Sequence, residues 1–406
     1  MKSLTAKPEP PPGLILVIPC HDEPDLLTTL ASLVACEKPG CLVQVRVVIN
    51  ASLKASEEVK ARNQQTLLAA QQWVDAHPRE DLRFLFENHD DLPPKHAGVG
   101  LARKIGMDAA AHHYQDVGYP QGPILCLDAD CTVATNYLRC LKDHFHHHPK
   151  TPGCSIHYEH PLKGLAPAHR LGIAAYELYL RYYRQGLVLA GHPSAFHTVG
   201  SSMAVRADVY LRQGGMNRRK AGEDFYFLQK IMALGGFTQV TNTTVFPSPR
   251  RSLRVPFGTG RAMEEWLAAE ATTRMSYDPQ VFRDLRDFFR LSPRLYRDSI
   301  EPDSLALRQF LAQAGLEPAL QRIRANTTSQ ESFQKKFFHW FNLFLILKYI
   351  HWATDHHYPK IPLEEGVSSL WGWMGQPQPE EPGGDVEGWL ATFRRFEVGQ
   401  GVNVSR

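Results

Sequence analysis

The sequence predicts an α/β protein: a mostly parallel β-sheet with flanking helices, followed by a mostly helical C-terminal extension. Three observations carry that expectation. Short β-rich runs alternate with helix-period segments through the first part of the chain, as in a parallel sheet with crossover helices. The first run, Leu14-Ile15-Leu16-Val17-Ile18, is continuously apolar and ends at Pro19, as a central strand covered on both faces requires. From about Arg261 onward the β-rich runs give way to helical patterns, with Trp266, Phe282, Phe288, Phe289, Phe337 and Trp340 among the apolar positions.

Composition allows such a fold and excludes several others. The chain has 406 residues, 43% hydrophobic and 21% charged, which is ordinary for a protein with a real core and too apolar for wholesale disorder. A formal net charge of +3 is too mild for a nucleic-acid partner. Charge is uneven, however: from Val205 to Arg261 there are ten Lys/Arg against three Asp/Glu, a local excess suited to a polyanionic ligand such as a diphosphate. The seven cysteines include no CxxC pair and several lie in apolar runs, so free buried thiols in a reducing, cytoplasmic setting are expected. Residues 1–12 are polar and Pro-rich and read as a flexible tail without a signal-peptide pattern. Residues 337–350 form the most apolar stretch, but His339, Asn342 and Lys348 interrupt it. It reads as one buried helix, with peripheral membrane contact as the alternative.

The elements follow in order. After the first strand, Pro24 opens a helix whose apolar face carries Leu26, Leu27, Leu30, Leu33 and Val34. Residues 43–49 are a second strand stopping at Asn50, and residues 56–76 a long helix opened by Ser56 and two acidic residues. Residues 82–86 are a third strand, residues 88–96 a polar loop, and residues 99–114 a helix. The fourth strand, residues 124–127, runs straight into Asp128. A helix near residues 136–146, a strand near 154–158, a long helix over about 167–189, a strand over 197–205, a helix over 222–234 and a β-rich run over 237–246 complete the alternating part. Residues 376–385 are rich in Pro, Gly and Glu and read as a linker.

The strongest chemical signal is Ile124-Leu125-Cys126-Leu127-Asp128-Ala129-Asp130. A buried strand delivers two carboxylates to its C-terminal end, where open α/β sheets bind ligands. A divalent cation satisfies such a pair, and oxygen ligands favour Mg²⁺ or Mn²⁺, which can bridge to a substrate diphosphate. Helix capping by Asp is the competing reading. The second signal, Gly222-Glu223-Asp224, opens a helix with Phe225, Phe227, Leu228, Ile231 and Met232. Acidic residues there complement the helix dipole; a carboxylate on a fixed helix start can also serve as a general base. The third is a shaped loop, residues 247–261, with three prolines, two glycines and Arg250, Arg251 and Arg254. Guanidinium groups there can stabilise charge developing on a leaving diphosphate. The run His144-Phe145-His146-His147-His148 lacks a carboxylate companion and reads as the C-terminal end of a helix rather than a metal site.

Five segments in order resemble family 2 glycosyltransferases. Val17-Ile18-Pro19-Cys20-His21-Asp22-Glu23-Pro24 is similar to their first-strand motif, and Val48-Ile49-Asn50-Ala51-Ser52 to their second strand and turn. Gly100-Leu101-Ala102-Arg103-Lys104-Ile105-Gly106 resembles a segment that usually reads Ala-Arg-Asn-x-Gly; Leu127-Asp128-Ala129-Asp130 and Gly222-Glu223-Asp224 fill the remaining slots. The resemblance implies a GT-A fold over residues 13–260, a helical extension over 261–375, and a linker and tail over 376–406. It implies an inverting, metal-dependent transfer of one sugar from a nucleotide-sugar donor to a glycan, lipid or small-molecule acceptor. Asp130 would be the metal ligand, with Asp128 on the metal or ribose. Asp224 would be the catalytic base and Glu223 would help place the acceptor. Pro19, Glu23, Asn50, Lys95 and Arg103 would line the nucleotide pocket. Two departures narrow the expectation. Asn50 stands where an Asp commonly contacts the base, so UDP is not assured. The Gln-x-x-Arg-Trp motif and membrane-spanning helices of processive synthases are missing. The competing classes are a nucleotidyltransferase, disfavoured by the acidic, glycine-free loop Cys20-His21-Asp22-Glu23-Pro24, and a non-catalytic binding protein on the same fold.

Overall fold

A computed structural model describes residues 10–219, 222–252, 258–377 and 384–401. In chain order its elements begin with β1 (Leu14–Cys20), α1 (Leu26–Val34), β2 (Val43–Ser52), α2 (Glu57–Ala76), β3 (Leu82–Leu92), α3 (Val99–Asp116), β4 (Pro123–Cys126) and β5 (Thr132–Val133). There follow α4 (Tyr137–His147), β6 (Gly153–Tyr158), α5 (Pro167–Ala190), β7 (Met203–Arg206), α6 (Ala207–Arg212), α7 (Glu223–Met232), β8 (Thr238–Phe246) and α8 (Thr259–Ala268). The remainder comprises β9 (Met275–Ser276), α9 (Gln280–Leu291), α10 (Leu305–Gln313), α11 (Leu316–Ala325), α12 (Gln330–Trp340), α13 (Leu343–His356), β10 (Ile361–Pro362), α14 (Leu363–Trp373) and α15 (Val386–Gly399). The chain divides into two compact units. Of the described residues, the first holds 10–161, Thr198–Gly260 and 400–401; the second holds Leu162–His197 and Arg261–Gly399.

The first unit is built on one sheet of the order β3-β2-β1-β4-β7-β6-β8-β5. Pairing is parallel for β3·β2, β2·β1, β1·β4 and β6·β8, and antiparallel where β7 meets β4 and β6 and where β5 meets β8. The predicted class, a mostly parallel sheet with flanking helices, is therefore the one found. The apolar run of β1 is the reason for its central place: all seven of its residues are buried, with sheet neighbours on both edges. Burying each Leu, Ile or Val side chain of this kind contributes about 1.5–3 kcal/mol. Close packing of α3 on β1 and β2 depends on Gly106. A Cβ there would stand 2.4 Å from Val17 Cγ1 and 3.0 Å from Val48 Cγ2, so only glycine permits that helix–sheet distance.

Strand order positions the site. The chain runs β1, β2, β3 in one direction across the sheet, then returns to place β4 on the other side of β1. The order reverses between β1 and β4, and the crevice at the C-terminal ends of two such strands is where open α/β sheets accept ligands. Those ends lead directly into Cys20-His21-Asp22-Glu23 and Asp128-Ala129-Asp130.

In the second unit α5 packs against α9, α14 and α15, and β9 pairs antiparallel with β10. Its aromatic core includes Phe282, Phe288, Phe337, Phe341 and Tyr349, all essentially inaccessible.

Local differences from the sequence expectations have physical causes. β3 extends through Asn88–Leu92, read as loop from its polarity, because backbone pairing with β2 continues to Ser52↔Leu92. Of the strand expected over residues 197–205, only the C-terminal part forms, as β7, which continues to Arg206 before α6. The single helix expected over 337–350 is two, α12 and α13; Asn342 ends the first and caps the second, its Oδ1 accepting from the amides of Phe344 and Leu345. Within the stretch read as linker and tail, Val386–Gly399 forms α15, with Trp389, Leu390 and Phe393 buried. None of the seven cysteines is in a disulfide, as expected. No helix among the described residues is long and apolar enough to cross a membrane.

Candidate functional site

Two networks of opposite charges stand at the ends of β1 and β4, both within the first unit. The first centres on Arg103 of α3, which is 2% exposed. Its Nη2 donates to Asp128 Oδ1 at 2.5 Å, and its Nη1 donates to Glu223 Oε1. One guanidinium thus joins the strand-end aspartate to the start of α7. Gly200 closes the other side: a Cβ there would meet Arg103 Nη1 at 2.7 Å, and the Gly200 amide donates to Asp224 Oδ2 at 2.9 Å. Asp224 Oδ1 accepts from the amide of Phe225 at 2.8 Å, so two backbone N–H groups fix this carboxylate. The turn before α7 uses Gly222 in the left-handed region, at φ 69°, where a side chain would be strained.

Burial sets the acid–base character of the cluster. Desolvation raises both Glu223 and Asp224 above the usual carboxylate range, against the opposing pull of Arg103. Arg103 is held firmly charged: burial works against its charge, but Asp128 and Glu223 outweigh it. The result is a pair of carboxylates side by side, one bound to a guanidinium and one held by amides.

The second network centres on Arg250. Its guanidinium donates to Glu23 through both Nη atoms, with Nη1 to Oε1 at 2.7 Å, and to Asp25 Oδ2 at 2.7 Å. Its Nη2 lies 3.0 Å from Asp130 Oδ2. Arg250 therefore bridges the loop after β1 to the second aspartate after β4. The loop itself is locally fixed. Asp22 adopts a positive φ of 49°, a conformation Asp tolerates better than most residues, and its carboxylate takes a two-pronged contact from Arg62 at 2.6 and 2.9 Å. Its amide donates to Asn63 Oδ1, and Asn63 Nδ2 in turn donates to the Asn50 carbonyl.

The predicted site residues fall into three groups. Glu23, Arg103, Asp128, Asp130, Glu223, Asp224 and Arg250 meet in the two networks above. Pro19 and Asn50 lie at the C-terminal ends of β1 and β2; Asn50 is 2% exposed and its Oδ1 is buried without a hydrogen-bond partner. Lys95 is exposed in the turn at residues 93–97 and is not drawn into either network, and Arg251 is exposed. Arg254 lies outside the described residues. Sequence reasoning missed Asp25, Arg62, Asn63 and the role of the Gly200 amide. Asp25 stands beside the first motif, so its acidity was the available signal; Arg62 and Asn63, on a largely polar helix, offered none.

For a metal, the donor set is two carboxylates after β4. No group of three or more His, Cys, Asp or Glu side chains able to hold an ion is present among the described residues. His144 is an example of what the histidine run does instead: it is buried in hydrogen-bond contact with Thr238 Oγ1 at 2.9 Å, and burial lowers its pKa to about 4.

No known family profile matches the chain, and no curated protein matches it in sequence. Among solved structures the chain is similar to S. aureus TarS 1-349 in complex with UDP-GlcNAc, at 12% identity and a TM-score of 0.40, covering 95% of this chain and 92% of that one. The same S. aureus fragment in complex with UDP gives 11% identity and a TM-score of 0.38 at the same coverage. Similarity of that extent carries no inference, and the functional reading rests on the residues themselves.

Proposed function

We propose that the protein is a metal-dependent, inverting, non-processive glycosyltransferase that moves one sugar from a nucleotide-sugar donor to an acceptor hydroxyl. The observation that carries this reading is the link from Asp128 through Arg103 to Glu223, beside the amide-held Asp224. It brings the strand-end carboxylate of Asp128 and a raised-pKa carboxylate, far apart in sequence, into one cluster at the strand-order reversal.

Asp130 and Asp128 would hold Mg²⁺ or Mn²⁺. Two carboxylates fit an ion of this kind, which characteristically takes one or two carboxylates and completes its shell with waters and substrate phosphates. When bound, the ion would neutralise charge on the donor diphosphate. Asp224 takes the proton of the acceptor hydroxyl as its oxygen bonds to the anomeric carbon. The bond from that carbon to the diphosphate oxygen breaks, and the nucleoside diphosphate leaves. A raised pKa suits Asp224 to this role, because a base works best with a pKa near the working pH. Glu223, tied to Arg103, orients the acceptor. Arg250 is the guanidinium we assign to the leaving diphosphate, since it already lies beside Asp130. The orphaned Asn50 Oδ1 fits an N–H of a nucleobase, because a buried acceptor without a partner costs roughly 1–3 kcal/mol that such a contact would recover. Seven cysteines with no disulfide among them fit a cytoplasmic setting.

The test is a thermal-shift and hydrolysis screen of nucleotide sugars with Mn²⁺ or Mg²⁺, beside Asp130→Ala. One donor should raise the melting temperature only with metal, and the substitution should abolish the shift. A shift that survives both chelation and the substitution overturns the metal-bridged donor.

A further inference from the structure

The second unit contains an arginine whose guanidinium has no hydrogen-bonded or ion-paired partner among the described residues. Arg274 lies between α8 and α9, with its guanidinium over the rings of Tyr179 and Tyr176 at 4.8 and 5.4 Å from their centroids. It forms no hydrogen bond or ion pair with a described side chain, and its Nε is buried without a partner. Arg274 is half-buried, and the fully buried arginines behave differently. Arg103 holds two carboxylates, Arg181 holds Glu177 and Glu397, and Arg206 holds four backbone carbonyls. Burial lowers the Arg274 pKa, yet an arginine keeps its charge. Cation–π attraction to the tyrosines offsets part of the desolvation cost, but the buried Nε is left without the hydrogen bond it would make in water.

Arg274 also lines a cavity of about 230 Å³, together with Ala262, Glu265, Trp266, Thr273 and Met275. The wall is firmly built. Trp266 Nε1 donates to the Ala168 carbonyl at 3.0 Å, and its indole fills the space where a Cβ of Gly172 would stand, 2.4 Å from Cδ1. The one carboxylate of the lining, Glu265, is engaged by Arg261 at 2.7 Å and, without touching Arg274, also offsets part of its charge. Thr273 adds a hydroxyl, and Met275, 48% exposed, adds an apolar rim. A volume below the usual range of roughly 300–1,000 Å³ for small-molecule pockets admits one small group rather than a whole ligand.

We propose that this cavity is a binding site for an oxyanion, a phosphate or a carboxylate borne on a sugar-sized molecule, with Arg274 as its counter-charge. The assignment is independent of the transferase reading. Guanidinium geometry matches both anions, through paired N–H groups. Thr273 can add a further donor, and Met275 and Ala262 can cover the non-ionic part of the ligand.

The experiment is calorimetric titration of the full chain, at low salt, with inorganic phosphate, glucose 6-phosphate and glucuronate. It is run on the wild type, Arg274→Gln, Arg274→Lys and Thr273→Trp. The tryptophan fills the cavity from an exposed position and leaves the guanidinium intact. At least one anion should bind saturably to the wild type. Its affinity should fall at least tenfold in R274Q and T273W, and by a smaller factor in R274K, which keeps charge but loses the paired donors. Equal affinity for inorganic phosphate and glucose 6-phosphate would identify free phosphate as a sufficient ligand; preference for a sugar-borne anion would identify the larger source, and either supports the site. If R274Q does not fold, R274K and T273W decide in its place. The proposal is overturned by absence of saturable binding of all three anions, by binding that survives T273W, or by binding that survives the Arg274 substitutions.

Discussion

Replacing Arg103 by Met tests the central link of the site, because it keeps side-chain bulk and removes the charge. In the native chain Arg103 is 2% exposed and the Glu223 side chain 4%, so the substitution strands one carboxylate away from water. Removing one partner of a buried pair costs about 3–5 kcal/mol. A second route sets a ceiling on the Glu223 share. Glu223 can take up a proton, and from an ordinary Glu pKa of about 4.3 this costs about 4 kcal/mol at a pH of about 7.5, but only about 2 kcal/mol at a pH of about 6. The two estimates agree near neutral pH. The sign follows from linkage: in R103M the folded-state pKa of Glu223 lies above its unfolded value, so stability is regained as pH falls. Asp128, whose side chain is 37% exposed, keeps solvent and adds little. The assay is urea unfolding followed by circular dichroism at both pH values, for the wild type, R103M and R103M combined with Glu223→Gln. R103M should lose about 3–5 kcal/mol at the higher pH and less at the lower, by up to about 2 kcal/mol because native Glu223 is itself already raised. The double variant should recover part of the loss, since a neutral amide no longer needs the guanidinium. A loss below about 1 kcal/mol, a loss independent of pH, or a double variant worse than R103M would refute a buried charge link.

Three further outcomes are expected. Asp224→Asn should keep the metal-dependent donor shift while turnover falls by roughly 10²–10⁴, and the acid limb of the wild-type pH–rate profile should lie above the ordinary Asp value of about 3.9, because only the deprotonated base acts; a limb at the ordinary value would contradict the raised pKa. In the second unit, Glu397 of α15 is inaccessible and accepts from Arg181, Gln185 and His197, so Glu397→Gln should destabilise that unit by about 3–5 kcal/mol, and calorimetry showing an unchanged transition would count against it. His144 and His192, each buried with a pKa lowered to about 4, favour the neutral form in the folded state; their contribution is intact above the unfolded pKa of about 6.5 and declines as pH falls, by about 2 kcal/mol each at a pH of about 5, which denaturant titration against pH will read.

Much of the architecture was legible because it is written in local patterns. The apolar run of β1 could only be a central strand, and the strand before Asp128 had to end at the ligand side of the sheet. Glu223 and Asp224 announced a helix start through their position before an apolar helical face. Where patterns were ambiguous, pairing partners decided. Polar residues 88–92 became strand because β2 continues beside them, and the stretch after the Pro/Gly/Glu-rich segment became a helix because Trp389, Leu390 and Phe393 find a core to bury in. The site was legible as a set of residue types at strand and helix ends, but not as a network. Nothing around Arg250 in sequence points to Glu23, and nothing around Arg62 points to Asp22.

The sequence by itself determined the alternating strand–helix order, the apolar strands and the placing of acidic residues at their ends, because periodicity and chain chemistry act over a few neighbouring positions. Tertiary structure alone decided which charges meet: Arg103 with Asp128 and Glu223, and Arg250 with Glu23, Asp25 and Asp130. It also decided that the long helix α5 belongs to the second unit rather than to the sheet that precedes it. Ion pairing depends on distance in space and on exclusion of water, and both are set only when strands remote in sequence take their places in the sheet.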